Sequence, residues 1–258
     1  MFNRLFMEQV RQQLIRVLAE QARAAKGALL QQKPAAGPVE KYSDTDAAAF
    51  VDLQNLHNFL KHNCRVEATQ VHILNMLKEF ASANRMPLVD IFVCSGIHDR
   101  AREPQRWDAM NKRRRWLERE GARVTLLPLS YYTDATGVRS QEKGVDVRIA
   151  SEILRAVNQG LQRAFIVSQD KDIAQAVEVA QEMARERGRT FQAYTMALED
   201  TQWAHNGKCG MNGLRGTVRL PISVEMIARH VRPPRAESGD ESGKLEGRGE
   251  QAGQAAEA

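Results

Sequence analysis

Short apolar runs alternate with longer segments of helical periodicity between residues 47 and 196. Five runs have the length and composition of β-strands: 48–53, 88–94, 124–127, 164–167 and 191–196. Between them, four segments repeat apolar positions every three or four residues and predict helices: 69–83, 107–120, 147–158 and 172–187. This alternation predicts an α/β fold with a central, mainly parallel five-stranded sheet flanked by helices.

The apolar pattern changes on both sides of this segment. Near the start of the chain it predicts an amphipathic helix, followed by a linker at 31–46. We expect this helix to pack on the domain or to form a homo-oligomer, because Glu8 and Glu20 would be repelled by an anionic membrane surface. Beyond the domain, 199–216 predicts an extended loop and 223–231 a short helix capped by Ser223. The expected parts are an N-terminal helix and linker, a main domain, an extension packing on it and a disordered tail: 1–46, 47–196, 197–232 and 233–258.

Charge separates the body of the chain from its tail. The formal net charge is +5, but residues 233–258 hold three basic and six acidic residues, so the tail carries −3 and the remainder +8. A basic body is typical of a nucleic-acid binder, although charge that only maintains solubility gives the same balance.

Apolar runs and cysteines bear on location. No run approaches the roughly 18 apolar residues that cross a bilayer, and the start of the chain lacks a secretory signal pattern. The cysteines are odd in number and too widely spaced for a zinc site: Cys64, Cys94 and Cys209. We therefore expect free thiols in a cytoplasmic protein.

Four aspartates fall where strands end or helices begin. Asp52 ends the first predicted strand, Asp170 follows the fourth, and Asp146 and Asp172 lie at helix starts. Sites in parallel sheets form outside the carboxyl ends of the strands, where the winding direction reverses. If the first and fourth strands are neighbours there, these carboxylates meet. Each aspartate alone could simply cap a helix, although Asp52 at the end of an apolar strand needs a partner or a metal.

Carboxylates gathered at one edge of a sheet repel one another unless a divalent cation is present. A donor set made only of oxygens favours Mg²⁺ or Mn²⁺ over zinc. In a basic protein, such a site indicates cleavage of phosphodiester bonds, in which metal ions activate water and stabilise the leaving oxygen.

Three segments carry a family resemblance: FVDLQNL at 50–56, EKGVDV at 142–147 and IVSQDKD at 166–172. Together, over about residues 47–196, they resemble the NYN domain, a branch of the PIN-like nuclease superfamily. The resemblance implies a PIN-like three-layer fold and a metal-dependent ribonuclease. By position, Asp52, Asp146, Asp170 and Asp172 match the metal-binding acids of the family, and Asn55 matches a polar residue that shapes the site.

Departures from the family pattern leave alternatives open. Gln54, Gln169 and Ile173 replace residues common in the family, and Lys171 lies between two of the acids. The main alternative is an RNA-binding module that cuts weakly or not at all. A phosphoacceptor domain would need an aspartate at the end of the third strand, where the chain has the residues LPLS at 127–130.

Basic and aromatic residues supply candidate RNA contacts: Lys143, Arg113, Arg114, Arg115, Tyr131 and Tyr132. The arginines belong to a basic run that could bind phosphates or form a solvated helix face. The two tyrosines could stack on unpaired bases or pack against the edge of the sheet. Lys143 would lie near a scissile phosphate if Asp146 binds a metal, or could pair with Glu142.

Overall fold

The computed structural model describes residues 40–135, 137–198 and 214–232. The predicted N-terminal helix, Cys209 and the acidic tail lie outside these residues. The strands are β1 Ala47–Asp52, β2 Leu88–Ile97, β3 Arg123–Pro128, β4 Ser130–Asp134, β5 Gly137–Gln141, β6 Arg163–Val167, β7 Gln192–Leu198 and β8 Thr217–Ile222. The helices are α1 Leu53–Asn63, α2 Ile73–Ala83, α3 Pro104–Arg119, α4 Val145–Asn158, α5 Lys171–Glu186 and α6 Val224–Arg229.

Six strands form one parallel sheet in the order β3-β2-β1-β6-β7-β8. The predicted α/β class is confirmed, with six strands in the sheet where five were expected. The additional strand is β8, which pairs with β7 at one edge. Strand β1 lies between β2 and β6, so the winding direction of the chain reverses there. The carboxyl ends of β1 and β6 are therefore the place where a ligand site is expected.

Strand β1 is buried along its whole length because helices cover both faces of the sheet. Ala47, Ala49 and Val51 join a core with Phe59 and Phe80 of α1 and α2. Ala48 and Phe50 join a second core with residues of α4 and α5. Alternate side chains of a strand point to opposite faces, so one apolar run serves two cores. Burying a large side chain such as Phe50 contributes about 1.5–3 kcal/mol.

Helix α1 was not predicted from the pattern. It begins directly after β1, and Asp52 is at once the last residue of the strand and the N-cap of the helix. The apolar residues that this helix buries recur at helical spacing on one face: Leu53, Leu56, Phe59 and Leu60. This short turn from strand to helix fixes the Asp52 carboxylate at the edge of the sheet.

Strands β4 and β5 form an antiparallel hairpin separate from the main sheet, in a segment where the sequence pattern predicted no strand. Helix α6 confirms the predicted short helix, because the Ser223 hydroxyl accepts a hydrogen bond from the Met226 amide at 3.1 Å. No helix within the described parts of the chain combines the length and hydropathy needed to cross a membrane.

Candidate active site

A cavity of about 670 Å³ opens beyond the carboxyl ends of β1 and β6. Four carboxylates line it: Asp52, Glu142, Asp146 and Asp170. They come from the end of β1, the segment between β5 and α4, the first turn of α4 and the N-terminus of α5. The structure brings Asp52, Asp146 and Asp170 together in this one cavity, as their places at strand ends and helix starts predicted.

Asp52 is the most deeply placed of the acids, at 2% exposure. Its Oδ1 accepts a hydrogen bond from the Asn55 amide at 2.9 Å, and its Oδ2 accepts one from Asn55 Nδ2 at 2.6 Å. Burial raises the pKa of Asp52, the Asn55 bonds oppose that rise, and the charge of Asp170 adds to it. Asn55 thus binds both oxygens of a buried carboxylate, and the Gln54 backbone adds a further hydrogen bond.

Asp170 combines the capping role and the position in the cavity that the sequence left as alternatives. Its Oδ1 accepts a hydrogen bond from the Asp172 amide at 2.9 Å, which caps α5. Its own amide donates to the Ser168 hydroxyl at 3.1 Å, and Ser168 is fully buried. Asp172 is exposed and does not line the cavity. It belongs to the rim, close enough for its charge to act on Asp146.

Asp146 experiences the combined field of the site. It lies in the first turn of α4, two residues after a left-handed Gly144 with φ of 80°. Burial and the charges of four other carboxylates raise its pKa from 3.8 to about 6: Asp170, Asp52, Asp172 and Glu142. Both causes act against the charged carboxylate, because burial removes its hydration and the neighbouring negative charges repel it.

Glu142 is an acid of the cavity that was not among the predicted site residues. Its Oε1 accepts hydrogen bonds from the Gly96 amide at 2.5 Å and the Ser95 hydroxyl at 3.4 Å. A Cβ at position 96 would lie 2.7 Å from that oxygen, so the glycine keeps the space open. Burial, together with the charge of Asp52, raises the pKa of Glu142. The signal in the sequence was an acid four residues before Asp146.

The family model described as the NYN domain matches residues 46–196. The chain belongs to the NYN domain family. The match covers the segment expected from the sequence, and the NYN domain is a PIN-like, nuclease-type domain. No curated protein and no solved structure matches the chain.

The four carboxylates of the cavity of this NYN domain supply oxygen donors, which Mg²⁺ and Mn²⁺ prefer, and His98 also lines the cavity. Within the described residues, no three His, Cys, Asp or Glu side chains are grouped so that they would hold a metal ion. The uncompensated charge at Asp146 still fits a cation, because a positive ion removes the repulsion that raises its pKa.

The predicted RNA contacts lie in different environments around the NYN domain. Arg113 lines a second cavity beside the first. Arg114 lies 3.9 Å from the Glu118 carboxylate, and Arg115 and Lys143 are exposed. None of these four residues lines the cavity of the acids.

The two tyrosines of the β4–β5 hairpin also differ from each other. The Tyr131 hydroxyl accepts a hydrogen bond from the Asp99 amide at 3.0 Å and lies 3.3 Å from Glu103 Oε1. The Arg102 guanidinium lies 4.9 Å from the centre of the Tyr131 ring. Tyr131 is therefore engaged by the segment after β2, whereas Tyr132 is exposed at 45% and accessible to a ligand.

Proposed function

We propose that this protein is a metal-dependent endoribonuclease that hydrolyses RNA phosphodiester bonds with Mg²⁺ or Mn²⁺. The observation that carries the proposal is the meeting of Asp52, Glu142, Asp146 and Asp170 in one cavity at the reversal point of an NYN sheet. A basic chain body would attract the RNA backbone towards this cavity.

The roles proposed for the acids follow from how each is held. Two hydrogen bonds from Asn55 hold the Asp52 carboxylate in place, and Asp170 is held as the cap at the N-terminus of α5. Both carboxylates therefore offer fixed oxygens to a cation. The pKa of Asp146 is raised to about 6, so a bound cation would strongly stabilise its charged form. Asp172 adds negative charge at the rim of the cavity. A bound ion would supply an activated water and stabilise the leaving oxygen. The side chains position that ion and require no nucleophile of their own.

Cleavage of a closed circular RNA tests the proposal, because only an endonuclease can open a circle. We expect cleavage in Mn²⁺ or Mg²⁺, none in excess chelator, and none with the Asp146→Asn or Asp170→Asn variants. Asp108→Asn is the matched control, since Asp108 is exposed on α3 away from the cavity. Equal cutting by Asp146→Asn, or cutting in chelator, would refute the mechanism. A closed circular DNA run in parallel shows whether cleavage requires ribose in the substrate.

The alternative is a catalytically weak or inactive RNA-binding module of the same fold. It is favoured by the absence, among the described residues, of a group of three side chains ready to hold a metal. It is also favoured by Asp52, both of whose oxygens already accept hydrogen bonds. This alternative predicts retention of RNA that weakens steeply with salt and no turnover in Mn²⁺.

A further inference from the structure

A second cavity, of about 450 Å³, adjoins the cavity of the acids. Four residues line both: Gln54, His98, Arg106 and Met110. The two cavities are therefore neighbours that share these side chains. An RNA strand with one phosphate at the acids would reach the second cavity with its next nucleotide.

The charge of the second cavity is opposite to that of the first. Its lining contains three arginines and two histidines and no Asp or Glu: Arg106, Arg113, Arg232, His57 and His98. The rest of the lining includes the apolar side chains of Met110 and Trp116. Cations beside an aromatic and aliphatic wall suit a nucleotide, whose phosphate is anionic and whose base is flat and largely apolar.

Arg113 is the cation of this cavity that most lacks a compensating charge. It is half-buried, and its Nη2 donates to the Ala68 carbonyl oxygen at 3.2 Å. Burial lowers the pKa of Arg113 to about 10, and no ion pair within the described residues offsets that cost. By contrast, Arg106 pairs with Glu103 at 2.8 Å, and Arg232 stacks over Trp116 at 5.0 Å. An anionic ligand would supply the partner that Arg113 lacks.

We propose that the second cavity binds the nucleotide next to the scissile phosphate of an RNA strand, with its phosphate at Arg113 and its base against Met110 and Trp116. The identity of the ligand as RNA rests on the proposed function. The structural alternative is that Arg113 serves only to hold the turn at Ala68–Gln70 through its bond to Ala68.

Binding measured without cleavage tests this subsite separately from catalysis. In an Asp146→Asn background with Mg²⁺, the affinity for a labelled single-stranded RNA is compared between Arg113→Gln and Arg119→Gln. Arg119 is an exposed residue of the same helix that lines neither cavity. Arg113→Gln should weaken binding about tenfold or more and reduce the slope of log affinity against log salt by about one. An affinity within twofold of the Arg119→Gln control, with an unchanged slope, overturns the proposal.

Photocrosslinking uses the wild-type protein, so its result does not depend on whether the Arg113→Gln variant folds. RNA carrying a photoreactive base is irradiated with wild-type protein in chelator, and the crosslinked peptides are identified by mass spectrometry. Crosslinks to residues that line the second cavity, above all within 107–116, support the subsite, and crosslinks confined to segments that do not line it overturn the proposal. If RNA crosslinks there and is never cut, the nuclease proposal fails while the subsite stands. If RNA is cut without these crosslinks, the reverse holds.

Discussion

Replacing Asp146 with Asn should stabilise the metal-free protein at neutral and alkaline pH. The pKa of Asp146 rises from 3.8 in the unfolded chain to about 6 in the fold. The folded protein therefore keeps this proton at pH values where the unfolded chain has lost it. Stability falls as pH rises from about 4 to about 6, and the full penalty remains above that range. An asparagine carries no charge and does not contribute this penalty.

The magnitude follows from the size of the shift and its surroundings. A shift of about two units corresponds to about 3 kcal/mol at 1.36 kcal/mol per unit. Asp146 is only half-buried, so solvent screening reduces this to about 1–2 kcal/mol. The carboxylate also interacts favourably with the N-terminus of α4, by about 0.3–1 kcal/mol, which the variant loses. The expected net gain is about 1 kcal/mol, or about 2–4 °C in Tm.

Urea unfolding in chelator at low salt, at pH 8 and pH 4, measures this gain. The Asn variant should be more stable at pH 8, and the difference should shrink at pH 4, where the folded form carries the proton and the unfolded chain is partly protonated. Asp108→Asn should show no such pH dependence, because Asp108 is exposed and remote from the acids. A variant less stable than wild type at pH 8, or a difference equal at both pH values, would refute the reasoning. Added Mg²⁺ should raise the Tm of wild type more than that of the variant.

Three further substitutions test the supports of the site and of the sheet. Asn55→Ala removes one hydrogen-bond donor from the buried Asp52 carboxylate. Urea unfolding should show a free energy of unfolding lower by about 1–2 kcal/mol, and initial rates should show slower RNA cleavage. Gly96→Ala places a Cβ 2.3 Å from Leu129 Cδ2 and 2.7 Å from Glu142 Oε1, so it should displace both side chains and lower the cleavage rate. Asp90→Asn should cost about 1–2 kcal/mol at pH 7, because burial is outweighed by hydrogen bonds that hold the Asp90 pKa at about 2. Since a lowered pKa contributes stability above its unfolded value, that cost should disappear as pH falls from about 4 to about 2.

Each of these substitutions has a matched comparison. For Asn55→Ala the comparison is Asn58→Ala. Asn58 is exposed on α1, so this variant should leave both stability and cleavage unchanged. If Gly96→Ala acts by displacing Glu142, then Glu142→Gln combined with it should cause little further loss. Additive losses would contradict that route. An Asp90→Asn variant as stable as wild type at pH 7 would show that Arg123 and Lys41 contribute nothing through this carboxylate.

The middle of the sheet was predictable because β1, β2 and β6 are largely buried and appear in the sequence as apolar runs. Ala47–Asp52 is the clearest example, with all six residues buried. Strand β8 was missed because Thr217–Ile222 lies at the edge, is mostly exposed or half-buried, and contains Pro221. Its pairing with β7 depends on contacts that a local pattern does not contain.

The aspartates of the site were predictable because strand ends and helix starts are visible in the sequence. Glu142 was missed for a physical reason. It is held by the backbone amide of Gly96, 46 residues earlier in the chain, and a glycine in a strand gives no indication of what its amide will bind. Asp172 shows the opposite limit, because a helix start places two acids close in sequence while only Asp170 lines the cavity.

The β4–β5 hairpin has a consequence for how this domain can diversify. Ser140 and Gln141 of the hairpin form part of the cavity wall, yet neither of its strands pairs with the main sheet. Insertions or exchanges at its tip would therefore leave the packing of both cores and the carboxylates undisturbed. Remodelling this one appendage would therefore change what reaches the cavity while the acids stay in place, and grafting another hairpin onto the domain would show whether substrate preference moves with it.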